Sequence, residues 1–479
     1  MVDRLLRIGA LAGAGALMLS ACSFAPAYSP PKLATDLPTS FKEMGPWTPA
    51  APADATPRGA WWAIFGDSML DDLEGRIETG NPDLAAAVAR YDQARALLGQ
   101  ARASLFPAVN LDGYSNRVRQ SEVKPQRGTG PAYYTDNVLG GEIAYEFDLW
   151  GRIRNSVKAQ NGQAEASAAD VASARLSLQA QLAQAYLSMR ALDAEARVLA
   201  DATATYQRAL DLTQKRFDDG VATGLDVGRA RTQLETAKTQ ETTILASRAL
   251  HEHAIASLVG QPASSFSIAA DDHAFPSPPA TPVTAASELL QRRPDVAAAE
   301  RRAFAANARI GVARAAFFPT ISLNALGGFE AANGLNIASS GASFWTLGPQ
   351  AILPIFDAGR RHAAAQEARA AFDETSADYR STVLAAFQQV EDNLALCNRL
   401  ADAAQTQAAA AEAAEKTQVI ATKQYRDGAT IYLDVVTAQT AALDAERAMI
   451  NLNAQRLQAA VALIRALGGG WTAEAQASG

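Results

Sequence analysis

The sequence predicts a mainly α protein with a membrane β part, the whole plan duplicated within one chain. Three observations carry that reading. Two very long segments space apolar residues in alternating steps of four and three, which is the seam of a coiled coil. Four short segments alternate apolar and polar residues with period two, the pattern of a barrel strand with one lipid face and one wet face. The motifs around these segments recur in the same order in both halves, which marks a duplicated unit too long to be a solenoid repeat.

The 479-residue chain opens with Arg4 and Arg7, an apolar run from Ile8 to Leu19, and Leu19-Ser20-Ala21-Cys22. These are the parts of a secretory signal ending in a lipobox, so residues 1–21 are expected to be removed and Cys22 to carry lipid. The run is shorter than the roughly 20 residues a membrane helix needs. An ordinary signal peptide with an incidental cysteine is the alternative. Ser23, in place of an acidic residue, favours the outer membrane. Residues 22–60 are rich in Pro, Ala and Thr and read as a lipid-anchored, extended tether with little capacity to form a core. Order is expected from Trp61-Trp62-Ala63-Ile64-Phe65.

Asn81-Pro82-Asp83-Leu84 returns as Arg293-Pro294-Asp295-Val296, and the Ala101 to Pro107 stretch returns as Ala313 to Pro319. Phe147-Asp148-Leu149-Trp150-Gly151-Arg152 returns as Phe356-Asp357-Ala358-Gly359-Arg360, and Phe217-Asp218-Asp219-Gly220 as Tyr425-Arg426-Asp427-Gly428. The first repeat spans 61–262. It holds a helix ending at Phe106-Pro107, where proline pushes the preceding residue out of the α region, and strands at about 107–118 and 136–149. A long helix over 151–216, a tight turn from Gly220 to Gly224 and a return helix over 225–258 follow. After a linker at 263–284, the second repeat (285–467) has strands at about 319–330 and 343–356, a long helix over 359–424, a turn at Gly428 and a return helix over 433–467; 468–479 is a tail.

Along the second long helix the seam runs Val383, Phe387, Val390, Leu394, Cys397, Ala401 and Ala404; along the first it runs Leu178, Leu182, Tyr186, Met189 and Leu192. At 1.5 Å per residue such helices are roughly 100 Å long, a length suited to crossing a wide space. Cys397 reads as a small core residue. Phe106, Phe147, Trp150, Phe317, Phe318 and Phe356 cluster where strands meet helices, either as an interfacial girdle or as plugs for the corners. Pro349 has no amide donor and is expected at an irregularity of its strand.

Net charge is −7 with no basic block, so nucleic-acid binding has no electrostatic footprint. Neither a Walker A nor a GxSxG pattern occurs, and His251-Glu252-His253 lacks the second histidine four residues after the first. With four histidines and no Cys/His cluster, neither an enzyme nor a metal or cofactor site is expected. Two strands in each half make too small a sheet to close, since natural membrane barrels begin at about eight strands, and an open edge in lipid costs several kcal/mol per unpaired backbone group. The chain must therefore share its barrel with copies of itself. Two copies would make a barrel filled by its side chains; three would leave room for a lumen, which favours a trimer.

The lipobox at Cys22, Trp61-Trp62 with Phe65-Gly66-Asp67, Asn81-Pro82-Asp83-Leu84, Glu146 through Arg152, Arg292 through Val296, and Asp427-Gly428 together resemble the TolC-like outer-membrane efflux ducts, most closely NodT-type efflux lipoproteins. The resemblance implies a homotrimer with a shared twelve-stranded barrel in the outer membrane, a long α-helical barrel extending into the periplasm, and an equatorial belt that includes 263–284. It implies a passive exit duct for drugs, toxic compounds or metal ions. Such a duct is completed by a periplasmic adaptor and an inner-membrane RND-type transporter, and it contacts outer-membrane lipid. It also implies a gate at the periplasmic helix tips, the turns at Gly220, Gly224 and Gly428, and places Tyr425, Thr430, Leu433, Asp434 and Thr437 at or beside the constriction. Asp226 and Asp434 hold equivalent repeat positions; copies near the axis would repel one another and attract cations. Some members carry a basic residue where Thr430 stands, bridging to the acid matching Asp226, and a second acid where Thr437 stands; this chain has neither. Asp226 could equally be only a helix cap. Alternatives of function are a type I protein-secretion exit and a lipid-anchored coiled-coil scaffold.

Overall fold

Two aspartates, each directly after a phenylalanine, start the two long helices. Asp148 accepts the N–H groups of Ile153 at 2.9 Å and Arg154 at 2.8 Å, and takes the Arg154 guanidinium at 3.0 Å. Asp357 does the same for the N–H groups of Gly359 and Arg361 and for the Arg361 side chain. Each carboxylate satisfies orphan first-turn donors at the positive end of a helix dipole. Gly151 and Gly359 enter the helices at φ +73° and +88°, where a side chain would be strained. That is the physical content of the recurring Phe-Asp…Gly-Arg motif.

The computed structural model describes residues 23–33, 41–43, 60–121, 123, 131–270, 275, 293–332 and 338–469. The signal segment 1–21, Cys22, most of the linker, the start of the second repeat and residues 470–479 of the tail lie outside them. In chain order the elements are α1 (Ser68–Gly80), α2 (Pro82–Ala103), β1 (Ala108–Arg119), β2 (Tyr133–Phe147), α3 (Arg152–Asp218) and α4 (Gly224–Leu258). Then come α5 (Pro294–Ala315), β3 (Thr320–Ala331), β4 (Ser343–Ile352), α6 (Arg360–Arg426) and α7 (Tyr432–Ala466). The helix α2 stops three residues short of Phe106, because its exit tightens into Leu105 N–H to Arg102 and Phe106 N–H to Ala103 bonds. The strand β4 ends at Ile352 rather than 356, just ahead of Pro354.

Contacts divide the chain into two compact units, and each draws on both sequence repeats. The first includes Arg90–Ser167 and Ala298–Arg380 and holds the sheet. Its four strands are antiparallel in the order β1-β2-β3-β4. Where β2 meets β3, Gly140 faces Gly328 and Gly141 faces Gly327, and a Cβ on Gly328 would lie 2.4 Å from the Leu139 carbonyl oxygen. Pro349 does not mark an irregularity: it faces Leu323 in an unbroken β3–β4 register. Within a single chain β4 is the edge of this sheet, where proline is best tolerated. The aromatics are not used alike. Trp150 stacks on Phe318 at 5.0 Å and donates its indole N–H to the Pro319 carbonyl at 2.7 Å, whereas Phe106 and Phe356 are exposed.

Residues 23–28 are extended but docked on this unit. Ser23 donates to Asn155 at 3.0 Å, Phe24 stacks on Phe318 at 4.4 Å, Asn307 donates to the Pro26 carbonyl at 2.9 Å, and the Tyr28 hydroxyl donates to Glu300 at 2.7 Å. In the second unit Phe41 is buried beside Phe387, and the N–H groups of Lys42 and Glu43 reach the Glu391 carboxylate. A tether without core-forming capacity is thus not what these described pieces are; isolated aromatics supply the packing that average composition hides.

The second unit comprises Leu33–Ala89, Ala168–Ala297 and Ser381–Gly479. Its main core joins Trp61, Trp62, Leu70, Leu73 and Ile77 to Leu182, Tyr186, Met189, Ile255, Leu457 and Val461. Asp67 caps α1 through the N–H groups of Met69 and Leu70 and accepts the Tyr186 hydroxyl at 2.7 Å. Asn81 caps α2 through the Leu84 N–H and donates to the Leu258 carbonyl in the last turn of α4. Arg293, its repeat counterpart, donates to the Ala466 carbonyl in the last turn of α7. Val383, Val390 and Leu394 of the α6 seam are fully buried. Cys397 is a free, half-buried thiol whose pKa burial pushes up to about 11, which suits an inert packing residue.

Candidate gate at the helix tips

Both tips, which lie in the second unit, turn on a left-handed glycine. After α3 the chain passes Gly220 and after α6 it passes Gly428, each at φ +75°. The Arg216 carbonyl accepts the N–H groups of Val221 at 2.8 Å and Ala222 at 3.0 Å; the Gln424 carbonyl accepts the Ala429 N–H at 2.8 Å. These bonds satisfy last-turn carbonyls that a helix end leaves orphaned. Gly224 is not part of either turn. It is the first residue of α4 and has no positive φ.

The helices that leave the tips start differently. Thr223 caps α4 in a reciprocal capping box: it accepts the Asp226 N–H, and Asp226 accepts the Thr223 N–H at 3.1 Å and hydroxyl at 2.8 Å. Arg229 lies 3.7 Å from the same carboxylate. Ile431 occupies the corresponding cap position of α7 and offers no side-chain bond. There the Thr430 hydroxyl donates to Asp434, and Thr437 donates to the Leu433 carbonyl at 2.9 Å. Leu433 and its repeat counterpart Leu225 are both exposed. They line one cleft of about 550 Å³ together with Arg229, Gln233 and Asp444, a lining that contains neither Asp226 nor Asp434.

Tyr425 stands apart from the other gate candidates. It is 7% exposed and packs with Ala230, Tyr432 and Val435, its ring 5.3 Å from that of Tyr432. Burial pushes the Tyr432 hydroxyl up to about 12. Arg216 reaches across from α3: its guanidinium lies 4.6 Å from the Tyr425 ring centroid and donates to the carbonyls of Tyr425 and Arg426. Sequence reasoning missed Arg216, Tyr432 and Thr223. Only the last had a local signal, the Thr-x-x-Asp spacing before a helix.

Cys22 lies outside the described residues, although Ser23, the next residue, is docked on Asn155. Among the described residues no helix is long and apolar enough to cross a membrane, and no group of three or more His, Cys, Asp or Glu side chains is placed to hold a metal ion.

The family model described as outer membrane efflux protein matches residues 75–261 and 285–469, one stretch in each half. The chain is 33% identical over 462 residues to a Pseudomonas putida protein named "Probable efflux pump outer membrane protein TtgC", covering 95% of this chain and 94% of that one. It is 32% identical over 468 residues to the pyoverdine export outer membrane protein OpmQ of Pseudomonas aeruginosa, covering 96% of each. The solved structure of the outer-membrane channel OprN superposes with a TM-score of 0.86 at 30% identity, over 94% of this chain and all of that one. These matches remove the coiled-coil scaffold from consideration. A pair of long helices in each half, a four-stranded sheet and matches along nearly the whole length agree: the chain belongs to the outer membrane efflux protein family, the outer-membrane channels of efflux pumps.

Proposed function

We propose that three copies of this chain close a twelve-stranded barrel, anchored by lipid on Cys22, and that the trimer receives small molecules from a periplasmic adaptor and an inner-membrane RND-type transporter. One observation carries the reading. Among the described residues β1 and β4 each pair on one side only, and both expose large apolar side chains: Val109 and Leu111 on β1, Trp345 and Leu347 on β4. In an antiparallel sheet of four, the last strand runs opposite to the first, so β4 of one copy meets β1 of the next in the same antiparallel sense. Closure removes the edges that lipid cannot hydrogen-bond. The named relatives are an efflux pump component and a pyoverdine exporter, which favours small-molecule efflux over a protein-secretion exit.

The resting constriction is assigned to Leu433 and Asp434, with Asp226, Thr430 and Thr437 beside it and Tyr425 holding the tip from within. The exposure of Leu433 supports an apolar plug. The test uses the full-length lipoprotein in detergent and in planar bilayers. A heat-resistant trimer with ion conductance is expected, and the Asp434→Ala, Leu433→Ala double variant should raise resting conductance and weaken block by divalent cations. A stable monomer would remove the shared barrel; unchanged conductance and block would remove the constriction.

A further inference from the structure

Arg216 touches both tip turns. Its carbonyl receives Val221 and Ala222, the two amides that follow Gly220. Its guanidinium donates to the Tyr425 carbonyl at 2.9 Å and the Arg426 carbonyl at 3.1 Å, the two residues that end α6 before Gly428. The same group lies over the Tyr425 ring at 4.6 Å. Three features make this more than a surface contact. The Tyr425 carbonyl also takes the Gly428 N–H, so the arginine adds to a bond that already shapes the turn. A cation at the C-terminal end of a 67-residue helix meets the negative end of its dipole. A planar guanidinium, with its fixed fork of donors, is also well suited to bridge two carbonyls while stacking on an aromatic face.

The clasp runs in one direction only. At the repeat counterpart of Arg216 stands Gln424, and at the counterpart of Tyr425 stands Phe217, which is 44% exposed where Tyr425 is 7% exposed. The second turn is therefore held by the first, and among the described residues Gln424 makes no equivalent side-chain bond to the first. Leu433 and Asp434 follow the second turn by a few residues, on a helix whose own N-cap, Ile431, makes no side-chain bond.

We propose that Arg216 is the positioning residue of the gate: by clasping the end of α6 it sets the resting place of the second tip, and the channel opens when this clasp is released. The inference rests on the reading that Leu433 and Asp434 form the constriction. It adds what keeps them there in a chain that has Thr430 in place of a basic bridging residue.

The experiment compares Arg216→Gln, Arg216→Lys and the Asp434→Ala, Leu433→Ala pair as full-length trimers in planar bilayers. Arg216→Gln loses the charge and the fork, and a roughly tenfold rise in resting open fraction is expected, with the fully open conductance unchanged. Arg216→Lys keeps the charge but not the bidentate geometry and should give a smaller rise. Should the glutamine variant fail to assemble, the lysine variant decides alone, and an unchanged open fraction overturns the clasp. If Arg216→Gln leaves the open fraction unaltered, the clasp is wrong whether or not the constriction pair responds. If it opens the channel while the constriction pair is silent, the clasp stands and the constriction lies elsewhere.

Discussion

The two helix tips share one backbone and differ in how each side chain is used. Both turn on a glycine at φ +75° and both return a last-turn carbonyl bond from the residue after it. In the first tip the acid is spent locally: Asp226 closes a capping box with Thr223 and sits beside Arg229, while the aromatic Phe217 is left exposed. In the second tip the aromatic is taken inside. Tyr425 is packed among Ala230, Tyr432 and Val435 under Arg216, while Asp434 is bonded by a single hydroxyl, that of Thr430. Duplication thus preserved the turn and divided the labour. One tip is locally self-sufficient, and the other depends on its neighbour.

The comparison breaks most directly at the aromatic position. Tyr425→Ala should cost about 3 kcal/mol of stability, the usual scale for emptying a buried aromatic site, and should also loosen the Arg216 contact. Phe217→Ala at the counterpart position should cost well under ~1 kcal/mol, since an exposed ring has little burial to lose. Thermal denaturation of the two solubilised variants measures both. Equal losses would mean that the tips are equivalent and that the asymmetry has no energetic weight.

Much of this was legible in the sequence. Alternating steps of four and three marked the interiors of α3 and α6, and the glycine motifs on either side marked where they start and stop. Period two located the strands, and matched motifs located the tip glycines. The motifs themselves became intelligible only with contacts: Asp148 and Asp357 are helix caps, and Asn81 and Arg293 reach the last turns of α4 and α7. What stayed hidden depends on partners distant in sequence. Arg216 meets Tyr425 across 209 positions, and no local pattern announces such a contact. The helix α1 was missed because it is short and sits beside a Pro-rich stretch, although Asp67 marks its start. Gly224 was assigned to a turn only because it is a glycine near one.

If a carboxylate's value lies in its partners, Glu74 is the extreme opposite of Asp226. It is fully buried on α1, and neither of its carboxyl oxygens has a hydrogen-bond partner. Burial, with the nearby Glu78 charge adding to it, pushes its pKa up to about 9. The folded protein then holds a proton that the unfolded chain releases near its ordinary value of 4.5. Stability must fall as pH rises between these values, at a slope of up to about 1.4 kcal/mol per pH unit, and level off above about 9. Glu74→Gln should remove that slope, so that the variant's advantage over the parent grows with pH up to about 9. Denaturation followed from pH 5 to 9 would show it; parallel curves for parent and variant would mean that Glu74 is solvated in solution.

The smallest effect tests the caps. In Thr223→Ala the Asp226 N–H loses its side-chain acceptor and the Asp226 carboxylate loses a hydroxyl donor, a change worth about 1 kcal/mol at a helix N-terminus. Ile431→Ala removes no capping bond from the second tip and should cost less. The informative variant is Ile431→Thr, which builds into α7 the Thr-x-x-Asp spacing that α4 already has. Its hydroxyl would compete with Thr430 for Asp434, drawing the acid into a local box and away from any shared ring. A second tip that gains stability in this variant while losing divalent-cation block would show that Asp434 is kept uncapped for the sake of the channel. A gain in stability with unaltered block would show that the missing cap has no bearing on conduction.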